Sequence, residues 1–131
     1  MKFIALIYGD ESNYSEATPE ETAAIFQAHG EFGEAAGAAG VYAGGEGLQL
    51  TDAATTLRVR DGERMLTDGP YAETKEQIGG FYALECKDLD EALEWAARIP
   101  EAKTGFIEVR PVIDYAALEG ATSNGSEAAA S

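Results

Sequence analysis

Residues 2–8, Lys-Phe-Ile-Ala-Leu-Ile-Tyr, constrain the fold more than any other segment. Both alternating sets are apolar: Phe3, Ala5 and Ile7 on one side, Ile4, Leu6 and Tyr8 on the other. An extended strand sends these sets to opposite faces, so each face must be covered. The next segments supply a cover for one of them. Gly9-Asp10-Glu11-Ser12-Asn13 reads as a loop, and Thr18 with Glu21 forms a capping-box pattern with Pro19 at the first helical position. Ile25, Ala28, His29, Phe32, Ala36 and Ala39 then fall on one stripe at helical spacing, and Gly40 suits the stop.

Residues 41–50 form a second strand interrupted by Gly44-Gly45-Glu46-Gly47, a bulge or a close backbone approach. Thr55–Arg60 and Arg64–Thr67 are joined through Asp61-Gly62, a strong hairpin signal. Asp68-Gly69-Pro70 is a turn, and Gly79-Gly80 leads into a strand at Phe81–Cys86. Asp88 and Glu91 open a second helix whose inner face is Leu89, Ala92, Leu93, Ala96 and Ile99, ending at Pro100. Phe106–Ile113 is the last strand, and Pro111 within it points to a sheet edge. Residues 116–131, small and polar, read as a flexible tail after a domain spanning 1–115.

With the hairpin taken as an insertion, the order is β-α-β-β-α-β, the ferredoxin-like α+β arrangement. Both helices cover one face of the antiparallel sheet. The opposite face stays apolar on the first strand, so a sheet-on-sheet homodimer is the simplest cover for it.

Composition narrows the function classes. The 131 residues suit one domain, and 9 Lys+Arg against 24 Asp+Glu leave a net charge of −15. That charge repels nucleic acid, whose phosphates need a basic surface. Lone Cys86 cannot form an internal disulfide, and one His with one Cys cannot build a multi-Cys/His metal cluster. No apolar run approaches the roughly 20 residues of a membrane span. The opening MKFIALIYGDE is too short for a signal segment, so a soluble cytoplasmic protein is expected.

Asp68–Gly80, DGPYAETKEQIGG, resembles the signature of the DGPF-type, YCII-related domain family, with Tyr71 where the family usually has Phe. The resemblance runs over about residues 1–114, through LIYGDE at Leu6–Glu11, GVYAGGEGLQL at Gly40–Leu50, TTLRVRDG, GGFYALE at Gly79–Glu85, DLDEALEWAARIP at Asp88–Pro100 and IEVRPV at Ile107–Val112. It implies a ferredoxin-like fold pairing into a dimeric α/β barrel. It also implies genes placed beside extracytoplasmic-function sigma factors and, in related branches, a His–Asp pair in the cleft.

His29 is the side chain whose ordinary pKa places a charge change near neutrality, and it matches the helical His of related proteins. It is either half of an acid–base pair or a core histidine bonded to a backbone carbonyl. Asp68 is the acid that would pair with it, fixing the tautomer; alternatively its carboxylate holds its own turn. Glu46, between two glycines, either approaches a ligand or marks a bulge. Lys75 either reaches into the cleft or pairs with Glu73 or Glu76 on the surface. Tyr8 and Tyr71 offer hydroxyls to a ligand or pack as aromatics. Arg110 alternates with Glu108 on the last strand, and a cross-strand or interface pair with Glu85 is its ordinary role.

Gly44-Gly45-Glu46-Gly47 lacks the Lys-Ser/Thr of a phosphate loop, no Ser sits in a nucleophile elbow, and Cys86 reads as a small buried hydrophobe. His29, Glu46 and Asp68 have ligand chemistry without diagnostic spacing, so neither a metal nor a cofactor is expected. The expected site gathers His29, Glu46, Asp68 and Lys75 in one cleft. The leading functional expectation is a small-ligand-binding or accessory module linked to sigma-factor transcription. Its rival is a cleft enzyme doing acid–base work on a small polar molecule.

Overall fold

The computed structural model describes residues 1–121. Its first strand, β1 (Lys2–Gly9), alternates between buried and half-buried residues, with Phe3, Ala5 and Ile7 inward. A short helical turn, α1 (Ser12–Ser15), leads to the long helix α2 (Pro19–Ala38). The Thr18 hydroxyl accepts the Glu21 N–H at 3.1 Å, and the Glu21 carboxylate accepts the Thr18 N–H at 3.0 Å. That reciprocal pair satisfies two donors the helix start would otherwise orphan. At the other end Gly40 takes φ 75°, and the N–H groups of Gly40 and Val41 donate to the carbonyls of Gly37 and Ala36. This Schellman closure turns the chain sharply and delivers Val41 into the core beside Ala36.

The main sheet has the order β2 (Tyr42–Gly47), β5 (Gln77–Glu85), β1, β6 (Phe106–Pro111), with every pairing antiparallel. With α2 and α3 (Leu89–Ala96) packed on one face, this is the ferredoxin-like topology. Phe3, Ala5, Ile7 and Leu84 from the sheet meet Phe32 and Ala36 from α2 and Ala92 and Ala96 from α3 in one core cluster. Pro111 lies on β6, which pairs on one side alone, so its missing N–H costs no ladder bond.

Two expectations are corrected, and the start of the last segment is helical. Leu89 and Leu93 are 49% and 47% exposed, because α3 meets the sheet through Ala92 and Ala96 and the bulkier leucines are left outside that close contact. Ala39 is exposed, since α2 ends at Ala38 and Ala39 is its C-cap, next to the turn at Gly40. The segment expected as a tail opens with a helix, α4 (Tyr115–Ala121), whose start is held by the Asp114 carboxylate accepting the Ala117 N–H. The rest of the tail, residues 122–131, lies outside the described residues.

The inserted hairpin, β3 (Thr55–Arg60) with β4 (Glu63–Asp68), forms a separate two-stranded sheet. Asp61 and Gly62 have φ 52° and 78°, so both central turn residues are left-handed, as a two-residue type I′ turn requires. No helix among the described residues is long and apolar enough to cross a membrane.

Candidate functional site

His29 lies on the sheet-facing side of α2, one turn before buried Phe32. Tyr82 pairs with Ala5 in the β1–β5 ladder, which puts it on the face that receives the helices. Glu101 belongs to the 3-10 turn Pro100–Ala102 that carries the chain from α3 to β6, and Tyr14 comes from α1. These four side chains form one hydrogen-bonded cluster. His29 Nε2 is 2.8 Å from Glu101 Oε2, His29 Nδ1 is 2.7 Å from the Tyr82 hydroxyl, and the Tyr14 hydroxyl donates to Glu101 Oε2 at 2.9 Å.

The carboxylate partner fixes one proton position. An ionised carboxylate only accepts, so the hydrogen sits on His29 Nε2 and is donated to Glu101. When Nδ1 carries no proton, it accepts the Tyr82 O–H. Glu101 is 7% exposed, and burial by itself pushes its carboxyl pKa up. The hydrogen bonds from His29, from Tyr14 and from its own backbone, with the positive charge the imidazole carries when protonated, outweigh burial and hold it below the ordinary value. Glu101 is therefore an anion at neutral pH. Burial, then the Glu101 charge, pushes Tyr82 up to about 12, and the same causes push Tyr14 up. Both phenols stay protonated and act as donors. Among the described residues Glu101 Oε1, though buried, has no hydrogen-bond partner.

The cluster lines a cavity of about 480 Å³ bounded by α2, the β2–β5 edge of the sheet, Tyr14 and Glu101. Its walls are largely apolar and aromatic, including Ile7, Ile25, Phe26 and Tyr42, and they include no Lys or Arg among the described residues. Gly45 shapes this wall: a Cβ there would stand 2.7 Å from Tyr82 Cδ1 and 2.7 Å from the Phe81 carbonyl oxygen. The glycine lets the Tyr82 ring lie across β2 and reach His29. Gly80 likewise lets β5 approach the Glu46 carbonyl, 2.7 Å from where its Cβ would be.

Of the residues singled out in the sequence, the structure brings His29 and Glu46 to the same cavity. Glu46 pairs with Phe81, so its side chain is on the face opposite Tyr82. Asp68 does not reach His29. It is exposed at the end of β4, opposite Thr55 in the separate hairpin sheet, and the acid beside His29 is Glu101. Lys75 and Tyr71 sit in the exposed loop after the hairpin, Tyr71 being 88% exposed, and neither lines the cavity. Tyr8 stacks on Phe106 with ring centroids 4.9 Å apart, on the far face of the sheet. Arg110 pairs with Glu108 along its own strand rather than across it. Among the described residues, no His, Cys, Asp and Glu side chains gather into a group able to hold a metal ion.

Sequence reasoning missed Glu101, Tyr82 and Tyr14. Glu101 comes directly after Ile99-Pro100, where the proline reads as a helix stop and nothing local marks the next residue as buried. The inward phase of Tyr82, alternating with Leu84, is the one signal that could have found a partner for His29.

A ferredoxin-like α+β domain with a His–carboxylate–phenol cluster in a cleft between helix and sheet is the class of protein these features define. The chain belongs to the YCII-related domain family, which matches it over residues 1–116. It is similar to an uncharacterised protein of Rhizobium meliloti (strain 1021), 40% identical over 117 residues that span 88% of this chain and 94% of the relative.

Proposed function

We propose that the cavity is an acid–base site acting on a compact neutral or cationic molecule with an apolar body. The observation that carries this reading is the continuous chain Glu101–His29–Tyr82, at 2.8 and 2.7 Å, along the wall of a cavity of about 480 Å³. Tyr82 donates its proton to His29 Nδ1, which leaves its oxygen to accept a proton from a bound ligand. As the ligand's proton moves to that oxygen, the Tyr82 proton moves to Nδ1, and the resulting imidazolium rests against ionised Glu101. Tyr82 ends neutral, so the relay avoids a tyrosinate, which its raised pKa opposes. The reverse transfer returns a proton to the ligand. The Glu101 anion in the wall and the net charge of −15 disfavour an anionic substrate.

The test is a thermal-shift screen of neutral and cationic small molecules, followed by turnover assays on the hits. We expect at least one hit to be consumed, with His29→Gln lowering the rate about 10²-fold or more. A screen with no stabilising molecule would overturn the reading.

A second reading, binding without turnover, is favoured by the engagement of both His29 ring nitrogens within the protein. Hits that stabilise and are not consumed would select it. In that case the protein acts as an accessory module, and the link to sigma-factor transcription that the family resemblance suggests would be tested by co-purification. We also propose that it works as a homodimer, because Ile4, Leu6 and Tyr8 remain only half-covered on the sheet face opposite the helices.

A further inference from the structure

We infer that the cavity takes a ligand whose charged end is a fully alkylated ammonium group, held by aromatic faces and by the charge of Glu101. The inference rests on the reading of the cavity as a small-molecule site and adds the class of ligand.

The charge in the wall comes first. Glu101 is an anion that is 7% exposed, and the wall holds no Lys or Arg among the described residues to balance it. Neutral His29 binds the carboxylate without cancelling its charge. A buried charge is costly unless it is paired, so the cavity keeps a negative potential that a cation would satisfy. Glu46, the other acid at the cavity, has its side chain on the face opposite Tyr82.

The Glu101 carboxylate is closed to hydrogen bonds from a ligand. Oε2 already accepts from His29 and Tyr14, and Oε1 is buried. A primary ammonium carries three strongly hydrated donors and would give up that water without gaining an ionic hydrogen bond in return. A fully alkylated ammonium has no donor to satisfy. What it needs is aromatic surface, since the negative face of a π system attracts a cation within about 6 Å of the ring centre.

The wall supplies that surface. Phe26 and His29 are three residues apart on α2, so Phe26 stands beside the imidazole on the same side of the helix. Phe26 is 71% exposed and Tyr42 is 43% exposed, and both border the cavity. Tyr42 meets Tyr82 edge to face, with ring centroids 6.1 Å apart. Rings from α2, β2 and β5 therefore border one opening beside a buried anion. An alkylated nitrogen carries no proton, so the proton that Tyr82 accepts comes from a hydroxyl elsewhere on the ligand.

Choline carries both groups and serves as the probe; its uncharged analogue has a tert-butyl group in place of the trimethylammonium. Calorimetric titration of both, with NMR of the His29 imidazole, tests the inference. We expect choline to bind about tenfold or more tighter than the analogue and to move the His29 resonances. Its affinity should fall about fivefold or more in Tyr42→Leu, a substitution at a half-exposed position on an edge strand that spares the core. Equal affinities for the two probes, unmoved His29 resonances, or a choline affinity unchanged in Tyr42→Leu would overturn the ammonium class while leaving the small-molecule site standing. So would the failure of both probes to bind when other molecules stabilise the protein in the thermal-shift screen. A screen in which nothing stabilises it would overturn both readings.

Discussion

Replacing Glu101 by Gln removes a buried negative charge and keeps the shape of the side chain. Two effects of opposite sign then compete. Burial penalises the carboxylate, so losing the charge relieves a desolvation cost. Against this, Oε2 accepts the His29 Nε2–H at 2.8 Å and the Tyr14 O–H at 2.9 Å, and both bonds are strengthened by the charge. The carboxyl pKa is held below its ordinary value, so the favourable bonds win over burial in the folded state. Bonds to charged groups contribute about 1.5–3 kcal/mol and neutral ones about 1, so Gln should cost ~2 kcal/mol at pH 7. For a domain of this size that is a fall of roughly 6–8 °C in Tm.

The pH dependence carries the sign. A carboxyl whose folded pKa is depressed stabilises the protein above its unfolded pKa, and that contribution is lost as pH falls through the folded value. The stability gap between wild type and Glu101→Gln should therefore close as the pH drops through and below the ordinary carboxylate range. Urea denaturation of both proteins across that range measures the gap directly, since the other acids titrate alike in the two. A gap under ~0.5 kcal/mol at pH 7, or one that does not change with pH, would refute the balance of forces described for Glu101.

Gly45→Ala should destabilise by about 1–3 kcal/mol and shift the His29 imidazole resonances, because its Cβ would strike the Tyr82 ring and the Phe81 carbonyl at 2.7 Å; NMR and denaturation together check this, and unchanged resonances would refute the positioning role of Gly45. Asp68→Asn should leave the His29 resonances unchanged and stability within ~0.5 kcal/mol, since Asp68 is exposed on the hairpin; a shifted imidazole would contradict the assignment of Glu101 as its acid. Thr18→Ala should cost ~1 kcal/mol in thermal or urea unfolding by opening the capping box, and a variant as stable as wild type would mean that the helix start is held by its packing alone.

Much of the fold is written in local chemistry. The two-sided apolar strand at Lys2–Gly9, the capping box at Thr18–Glu21, the helix stop at Gly40 and the Asp61-Gly62 turn each depend on residues close together in the chain, and their sequence patterns specify them. The strand order can be reasoned from the element order once the hairpin is recognised as an insertion. The candidate site is different in kind. His29 stands out in the sequence as the single imidazole, but its acid lies 72 residues away and its phenol 53 residues away. Asp68 and Glu101 carry the same chemical group; what separates them is that one ends an exposed hairpin strand and the other is pinned in a turn beneath α2. The outward placement of Leu89 and Leu93 has the same origin, because how closely α3 approaches the sheet is set by the packing of Ala92 and Ala96 and not by helical period. Sequence determined which segments are strands and helices, since those preferences act over a few neighbouring residues. Only the tertiary structure decided which charges share a buried space, because burial and pairing are properties of the assembled core.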